Sequence, residues 1–152
     1  MPKKIRVRIK RFDRELPLPQ YHSVGAACFD CYAREAVTVA PQQTALVPLN
    51  VAVAPPKDHF ILLVARSSFY KRGLITPNGL GIGDEDFSGD GDEYHFPVFN
   101  FTNAPVTIAR GDRIAQMLIM PYTRAHLHEV KSMRRKTRGG FGTTGKGLAT
   151  RD

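Results

Sequence analysis

Thr44-Ala45-Leu46-Val47-Pro48-Leu49-Asn50-Val51-Ala52-Val53, then after Pro55-Pro56-Lys57-Asp58 the run His59-Phe60-Ile61-Leu62-Leu63-Val64-Ala65, is the stretch whose reading decides the fold. Both runs are short, rich in Val, Leu, Ile and Phe, and bounded by Pro and Asp, as strands are. The same pattern recurs along the chain. Candidate strands fall near residues 4–10, 27–33, 36–40, 44–53, 59–65, 74–76, 80–83, 94–101, 105–109, 114–120 and 124–130. Helical periodicity is nearly absent, save for a short turn around residues 67–71, ended by Gly73. Many short strands at close spacing predict an all-β sandwich, jelly roll or barrel.

At 152 residues the chain is expected to form one domain with a proper core. No apolar run approaches membrane-spanning length, so no membrane is expected as a partner. The start, Met1-Pro2-Lys3-Lys4-Ile5-Arg6-Val7-Arg8-Ile9, alternates charged and apolar residues and lacks the apolar block of a signal peptide. An intracellular protein is the expectation: cytoplasmic, or nuclear if the source is eukaryotic or viral.

The net charge of +8 is unevenly placed. Residues 1–12 carry six Lys/Arg and no acid, and residues 131–152 carry seven with one acid. The stretch between has nine basic and thirteen acidic side chains. Basic ends on a mildly acidic body suit arms that close on a small polyanion better than a duplex-binding face, so no specific nucleic acid is expected. Cys28 and Cys31 form a C-x-x-C without a second pair, which reads as two buried thiols in a strand. His126 and His128 would share a strand face, two ligands short of a metal site.

Arg138-Gly139-Gly140-Phe141-Gly142-Thr143-Thr144-Gly145-Lys146 has the makings of a phosphate cradle: glycines let backbone N–H groups converge on an anion, and hydroxyls and Lys add donors. The Walker pattern fails at Gly147, and six residues are too few for the helix that would complete it. Read alone, it is equally a Gly/Thr tail. The reading adopted is a basic, Gly-rich arm over 131–152, appended to a β core over 1–130.

Three further segments ask for a phosphate or a nucleotide. Asp84-Glu85-Asp86-Phe87-Ser88-Gly89-Asp90-Gly91-Asp92-Glu93 is the densest acidic stretch, yet His95 stands where a calcium loop needs Glu. It is either a solvated hairpin tip or a holder of one carboxylate beside a ligand. Gly79, Gly81 and Gly83 before it permit close approach of backbone to a flat ligand. Arg66-Ser67-Ser68 leads into the helical turn, where hydroxyls either cap the helix or grip phosphate. Gly111-Asp112-Arg113-Ile114-Ala115-Gln116 is a turn entering a strand. No Ser/His/Asp or Cys/His arrangement stands out, which leaves a carboxylate base, bound phosphates and a metal ion carried in with them.

In order, these segments resemble the five motifs of the trimeric dUTP pyrophosphatase (dUTPase) family. Ala27-Cys28-Phe29-Asp30-Cys31-Tyr32-Ala33 is similar to the first, and Arg66-Ser67-Ser68 to the second. The third spans Asn78 to Gly89, the fourth Gly111 to Gln116, and the fifth Gly139 to Gly145. The resemblance implies a jelly-roll-like distorted barrel that assembles as a homotrimer with shared sites and an exchanged C-terminal arm. Motifs one, two and four would come from one subunit, motif three from a second and motif five from the third. The implied reaction takes dUTP and water to dUMP and pyrophosphate. Asp84 matches the general base, and Mg²⁺ would ride on the triphosphate with Asp30 helping through water. Asn78, Gly81, Ile82 and Gly83 would lie along the nucleoside, Phe87 under the deoxyribose, and Phe141 over uracil with Gly142 beside it. Arg66, Ser67, Ser68, Gln116, Thr143 and Thr144 would hold phosphate oxygens, as would Lys136 or Arg138.

Four departures from the family pattern matter. Cys28 replaces a small Gly, and Arg66 to Gly73 is one residue shorter than in many dUTPases, closer to the related dCTP deaminases. Residues 90–93 lengthen motif three by about three, and Lys136 stands for an Arg. A dCTP deaminase, alone or bifunctional, would need an acid three residues before Asn100, where Pro97 stands. An inactive nucleotide-binding regulatory relative is the other alternative.

Overall fold

The computed structural model describes residues 4–143. Its strands are β1 (Arg8–Arg11), β2 (Phe29–Tyr32), β3 (Val37–Val39), β4 (Thr44–Pro48), β5 (Val51–Ala54), β6 (His59–Ala65), β7 (Leu74–Ile75), β8 (Gly81–Gly83), β9 (His95–Asn100), β10 (Val106–Ile108) and β11 (Arg113–Pro121). One 3-10 turn, Phe69–Arg72, interrupts them. The fold is all-β, a jelly-roll-like distorted barrel. A four-stranded sheet in the order β2-β11-β6-β8 faces a three-stranded sheet β4-β9-β7, with the pairs β1-β5 and β3-β10 at the flanks. Among the described residues no helix is long and apolar enough to cross a membrane.

Period-2 alternation accounts for the core. In β9, Phe96, Val98 and Asn100 turn inward while His95, Pro97 and Phe99 turn out. In β6, Ile61 and Leu63 join them. Each of the apolar side chains among them, fully buried, contributes about 1.5–3 kcal/mol. Asn100 is buried without penalty because its amide nitrogen donates to Val39 O and Ala104 O, at 2.9 and 2.8 Å. The expected helical turn ends at Gly73, whose φ of 79° lies in the left-handed region. A Cβ there would also collide with Thr102.

Two expectations need correction. The run 44–53 is two strands, because the chain changes sheets at Leu49-Asn50. Asn50 takes φ 67°, a conformation Asn tolerates, and locks the corner through Asp13: its Oδ1 accepts from Asp13 N at 2.6 Å and its Nδ2 donates to Asp13 O at 2.9 Å. The strand expected at 124–130 is absent. Those residues, His126 and His128 included, are exposed, since among the described residues no strand runs alongside to pair with them. Cys31 is a buried thiol as expected, its pKa pushed up by burial, whereas Cys28 is half-buried.

Candidate active site

The four-stranded sheet positions most of the candidate residues. Its core side takes Ile61, Leu63, Ala65, Ala115, Met117 and Ile119. Alternation therefore sends Phe60, Leu62, Val64, Gln116, Leu118, Met120, Ile82 and Asp30 to the outer face. The register sets them in rows. Gln116 lies opposite both Asp30 and Val64, Leu118 opposite Leu62, which lies opposite Ile82, and Met120 opposite Phe60. The outer face is polar at one end and apolar across its middle.

At the polar end Asp30 is buried among cations. Its Oδ2 lies 3.2 Å from Arg66 Nε, accepts from Arg113 Nη1 at 3.3 Å, and lies 3.7 Å from His22 Nε2. Arg66 Nη1 also donates to the backbone Arg113 O at 3.2 Å, which fixes the Arg66 guanidinium beside Asp30. Two guanidiniums on one carboxylate leave surplus positive charge, which suits an anion. Gln116 Nε2 donates to Ala65 O at 3.2 Å. Ser67 and Ser68 are exposed in the loop leaving β6, anchored behind by Phe69, whose ring meets Phe96 at 5.5 Å. Ser68 flanks the 3-10 turn but makes no capping hydrogen bond, so its hydroxyl is not spent on the turn.

Motif four's turn is braced separately. Arg72 Nη1 donates to Asp112 Oδ2 at 2.6 Å, and this holds the Asp112 carboxyl below the usual carboxylate range.

At the other end of the sheet, β8 is a thin edge ribbon. A Cβ at Gly81 would press on Leu63 Cβ at 3.1 Å, and one at Gly83 would collide with Tyr94. Asn78 and Gly79 form the turn before it, with Leu80 N donating to Asn78 O at 2.9 Å. Ile82 is 60% exposed. Asp84 follows directly and is exposed.

The neighbouring acids are mostly committed. Glu85 Oε2 accepts from Asp58 N at 3.0 Å and Tyr122 Oη at 3.4 Å. Asp90 pairs with Lys10, Asp92 with Gly89 N, and Glu93 with Arg34. Only Asp84 and Asp86 of the stretch make no side-chain hydrogen bond or ion pair among the described residues. Both line an open cavity of about 750 Å³ with Lys57, Phe60, Ile82, Glu85, Tyr122 and Arg124. Phe87 is 41% exposed and meets Tyr94 edge to face.

The two ends do not meet. Asp84 lies one residue beyond the pair Gly83–Ile61, four residues along the strands from the row of Gln116 and three strands from Asp30. At about 3.3 Å per residue and 4.8 Å per strand, Asp84 and Asp30 are roughly 20 Å apart.

The segment after Pro121 has no strand and is exposed as far as Thr143 except at Tyr122 and Gly140. Among the described residues Lys136 and Arg138 reach no acid. Gly140 N donates to Thr143 Oγ1 at 2.7 Å and Thr143 N to Gly140 O at 3.1 Å, closing a turn with Phe141 fully exposed on it. Phe141 takes φ 52°, unusual for a bulky residue, next to Gly142 at 90°. Thr144 lies outside the described residues.

Reasoning from sequence missed Arg113 as a partner of Asp30, His22 beside it, and Tyr94 beneath Phe87. Arg113 stood inside a quoted motif, but only strand register brings it to Asp30. Among the described residues no three His, Cys, Asp or Glu side chains gather as a metal site would require.

The sequence model of the dUTPase family matches residues 14–145. A deoxyuridine 5′-triphosphate nucleotidohydrolase of Anaeromyxobacter sp. (strain Fw109-5) is 39% identical over 150 residues, covering 96% of this chain and 100% of the relative. Another with that name, from Dictyoglomus turgidum, is 35% identical over 93% of this chain and 99% of its own. The solved structure of Staphylococcus bacteriophage 80alpha dUTPase with dUPNHPP superposes with a TM-score of 0.82 at 21% identity, over 94% of this chain and 100% of that one, a likeness of fold.

Proposed function

The chain belongs to the dUTPase family, and on that premise we propose that it hydrolyses dUTP to dUMP and pyrophosphate as a homotrimer. The observation that carries the proposal is the division of the site. A cation-rich cluster with unspent hydroxyls and a carboxylate without a partner among the described residues lie at opposite ends of one sheet face, roughly 20 Å apart. A general base must come within hydrogen-bond reach, about 3 Å, of the water it activates. The two halves therefore serve one phosphorus only if different subunits supply them. Half-exposed Leu62, Val64, Leu118 and Met120 between them give a second copy an apolar surface to cover.

In this mechanism Arg66, Ser67, Ser68 and Gln116 bind phosphate oxygens on one subunit. Asn78, Gly81, Ile82 and Gly83 of another seat the nucleoside, with Phe87 under the deoxyribose. Asp84 takes a proton from the water that attacks the α-phosphorus. The core, 1–130, carries an arm, 131–152, that closes over the site. Phe141 and Gly142 then cover the base, while Thr143, Thr144 and Lys136 or Arg138 add phosphate donors and exclude water.

Asp30 fits Mg²⁺ as a contact through water and not as a full metal site. It is one buried carboxylate already shared by two guanidiniums, and Mg²⁺ needs six oxygens, mostly from water and phosphates. Bound with the triphosphate, Mg²⁺ supplies neutralisation of phosphate charge. Deamination lacks its proton carrier, because Pro97 lies in β9 opposite Leu46 where an acid would be needed. The expected compartment is the cytoplasm, or the nucleus for a eukaryotic or viral source.

The test is product analysis of dUTP and, separately, dCTP with purified protein and Mg²⁺. dUMP and pyrophosphate from dUTP alone support the proposal. Uracil nucleotides from dCTP would favour the deaminase, and dUTP binding without product a regulatory relative.

A further inference from the structure

The loop after Phe87 is held more tightly than a solvent-facing hairpin tip requires, and the mechanism above makes no use of it. Glu93 is its anchor, with a side chain only 8% exposed. Its carboxylate accepts a fork from Arg34, Nε at 2.8 Å and Nη2 at 3.1 Å, and Oε1 also accepts from Asn50 N at 2.9 Å. A buried carboxylate is tolerable only when satisfied in this way. At the other side of the loop, Lys10 Nζ donates to Asp90 O at 2.7 Å and lies 3.3 Å from Asp90 Oδ1, tying the loop to β1. Within the loop Asp92 Oδ2 accepts from Gly89 N at 2.6 Å.

From this clamp the chain runs directly into Tyr94. Its N–H donates to Val51 O and its C=O accepts from Leu49 N, both at 2.9 Å, so its backbone is fixed on both sides. The ring is wedged between Gly83, where any Cβ would strike it, and Phe87, which it meets edge to face at 5.2 Å and 89°. Tyr94 thus touches the residue before Asp84 and supports the ring assigned to the sugar. Phe87 has no hydroxyl with which to fix its own position, so its placement depends on this support.

We propose that residues 88–94 are a platform for sugar selection. Glu93, gripped by Arg34 and Asn50, is a positioning residue that fixes Tyr94 and, through it, the depth of the Phe87 ring. The inference rests on the dUTP reading, in which Phe87 lies under the deoxyribose. An apolar surface rejects an added hydroxyl by crowding it and by leaving it without a partner, together commonly about 10²-fold. A ring free to tilt would admit the 2′-hydroxyl of UTP while still accepting dUTP. Neutralising the anchor should therefore relax selectivity before it reduces turnover.

The experiment measures kcat/KM on dUTP and on UTP for the full-length protein and for Glu93→Gln. The expected result is a fall in the dUTP-to-UTP ratio of about tenfold, mostly from faster use of UTP. Glu93→Asp, which keeps the charge on a shorter stem, should recover part of the ratio. A variant in which both substrates fall in proportion would overturn the proposal and leave Glu93 a structural residue. Should Glu93→Gln fail to fold, Arg34→Lys tests the clamp from its other side, keeping the charge but losing the fork. A reduced ratio there supports the platform, and an unchanged one refutes it. If the unmodified protein releases no pyrophosphate from dUTP, the dUTP reading itself falls, which is seen before any variant is made.

Discussion

Two inactive variants of this chain should restore one another when mixed. Asp84→Asn removes the proposed base and keeps its shape, and such a loss costs about 10²–10⁴ in kcat. Arg66→Gln removes a phosphate grip at the other end of the sheet, at a cost of about 10²–10³. The two side chains do not share a site within one chain: Asp84 lies just past the end of edge strand β8, level with Phe60, and Arg66 follows β6 six residues further on. At about 3.3 Å per residue that alone is roughly 20 Å. If each site takes its cluster from one subunit and its base from another, every mixed trimer, 2:1 or 1:2, holds an intact pair in about one site of three. Co-refolded variants, purified through two different tags to isolate mixed trimers, should therefore release pyrophosphate far above either parent. The wild-type rate per site sets the scale, and the two parents set the floor. Mixed oligomers no more active than their parents would mean that one chain builds the whole site, and the geometric argument for subunit sharing would fail.

Truncation after Lys136 should leave an assembly whose melting temperature changes by no more than about 2 °C, because the described part of the arm buries almost nothing. Its kcat/KM on dUTP should fall at least about 10²-fold; a truncated chain that cannot fold would show the arm to be part of the core. Asp112→Asn should lose about 1 kcal/mol of stability at pH 7, a figure already reduced for the partial exposure of the Arg72 pair. Because Arg72 holds the Asp112 carboxyl low, this contribution is present above the ordinary carboxylate pKa and is lost as pH falls through the depressed value. Denaturation curves of the two proteins should therefore converge below about pH 4. Tyr94→Phe should raise stability by up to about 1 kcal/mol, since the buried hydroxyl meets no hydrogen-bond partner among the described residues. Burial, then the charges of Asp84 and Asp92, push the Tyr94 pKa up to about 12. Because the folded state resists ionising this phenol, the native state loses stability as pH rises from the unfolded pKa, about 10, toward the folded value, so the substitution should shift alkaline unfolding upward.

How much of this was legible in the sequence depended on how far apart the interacting partners lie in the chain. β6 could be read directly because Pro and Asp bound it and its apolar residues supply both of its faces. The corner at Asn50 could not, since the apolar run continues through it. Only the pairing of β4 with β9 and β5 with β1 reveals that the chain has changed sheets. The alternation at 124–130 is real in the sequence, but a strand needs a neighbour, and the described residues provide none.

The site divides in the same way. Motifs are local and can be read locally. The pairing of Arg113 with Asp30 spans 83 positions and that of Arg34 with Glu93 spans 59, so both emerge only from register. The acidic stretch makes the physical point most clearly. Its charge density suggested a solvated tip or a ligand holder, whereas the fold uses its carboxylates for both purposes. Glu85, Asp90, Asp92 and Glu93 are tied to backbone and to cations, and this fixes the loop. Among the described residues Asp84 and Asp86 are left without partners at the edge of the cavity, and Asp84 directly follows the ribbon that Tyr94 braces. A base in this loop must be uncommitted and yet well placed. Here the neighbouring acids supply the placement, which is why the proposed base stands among so many other carboxylates.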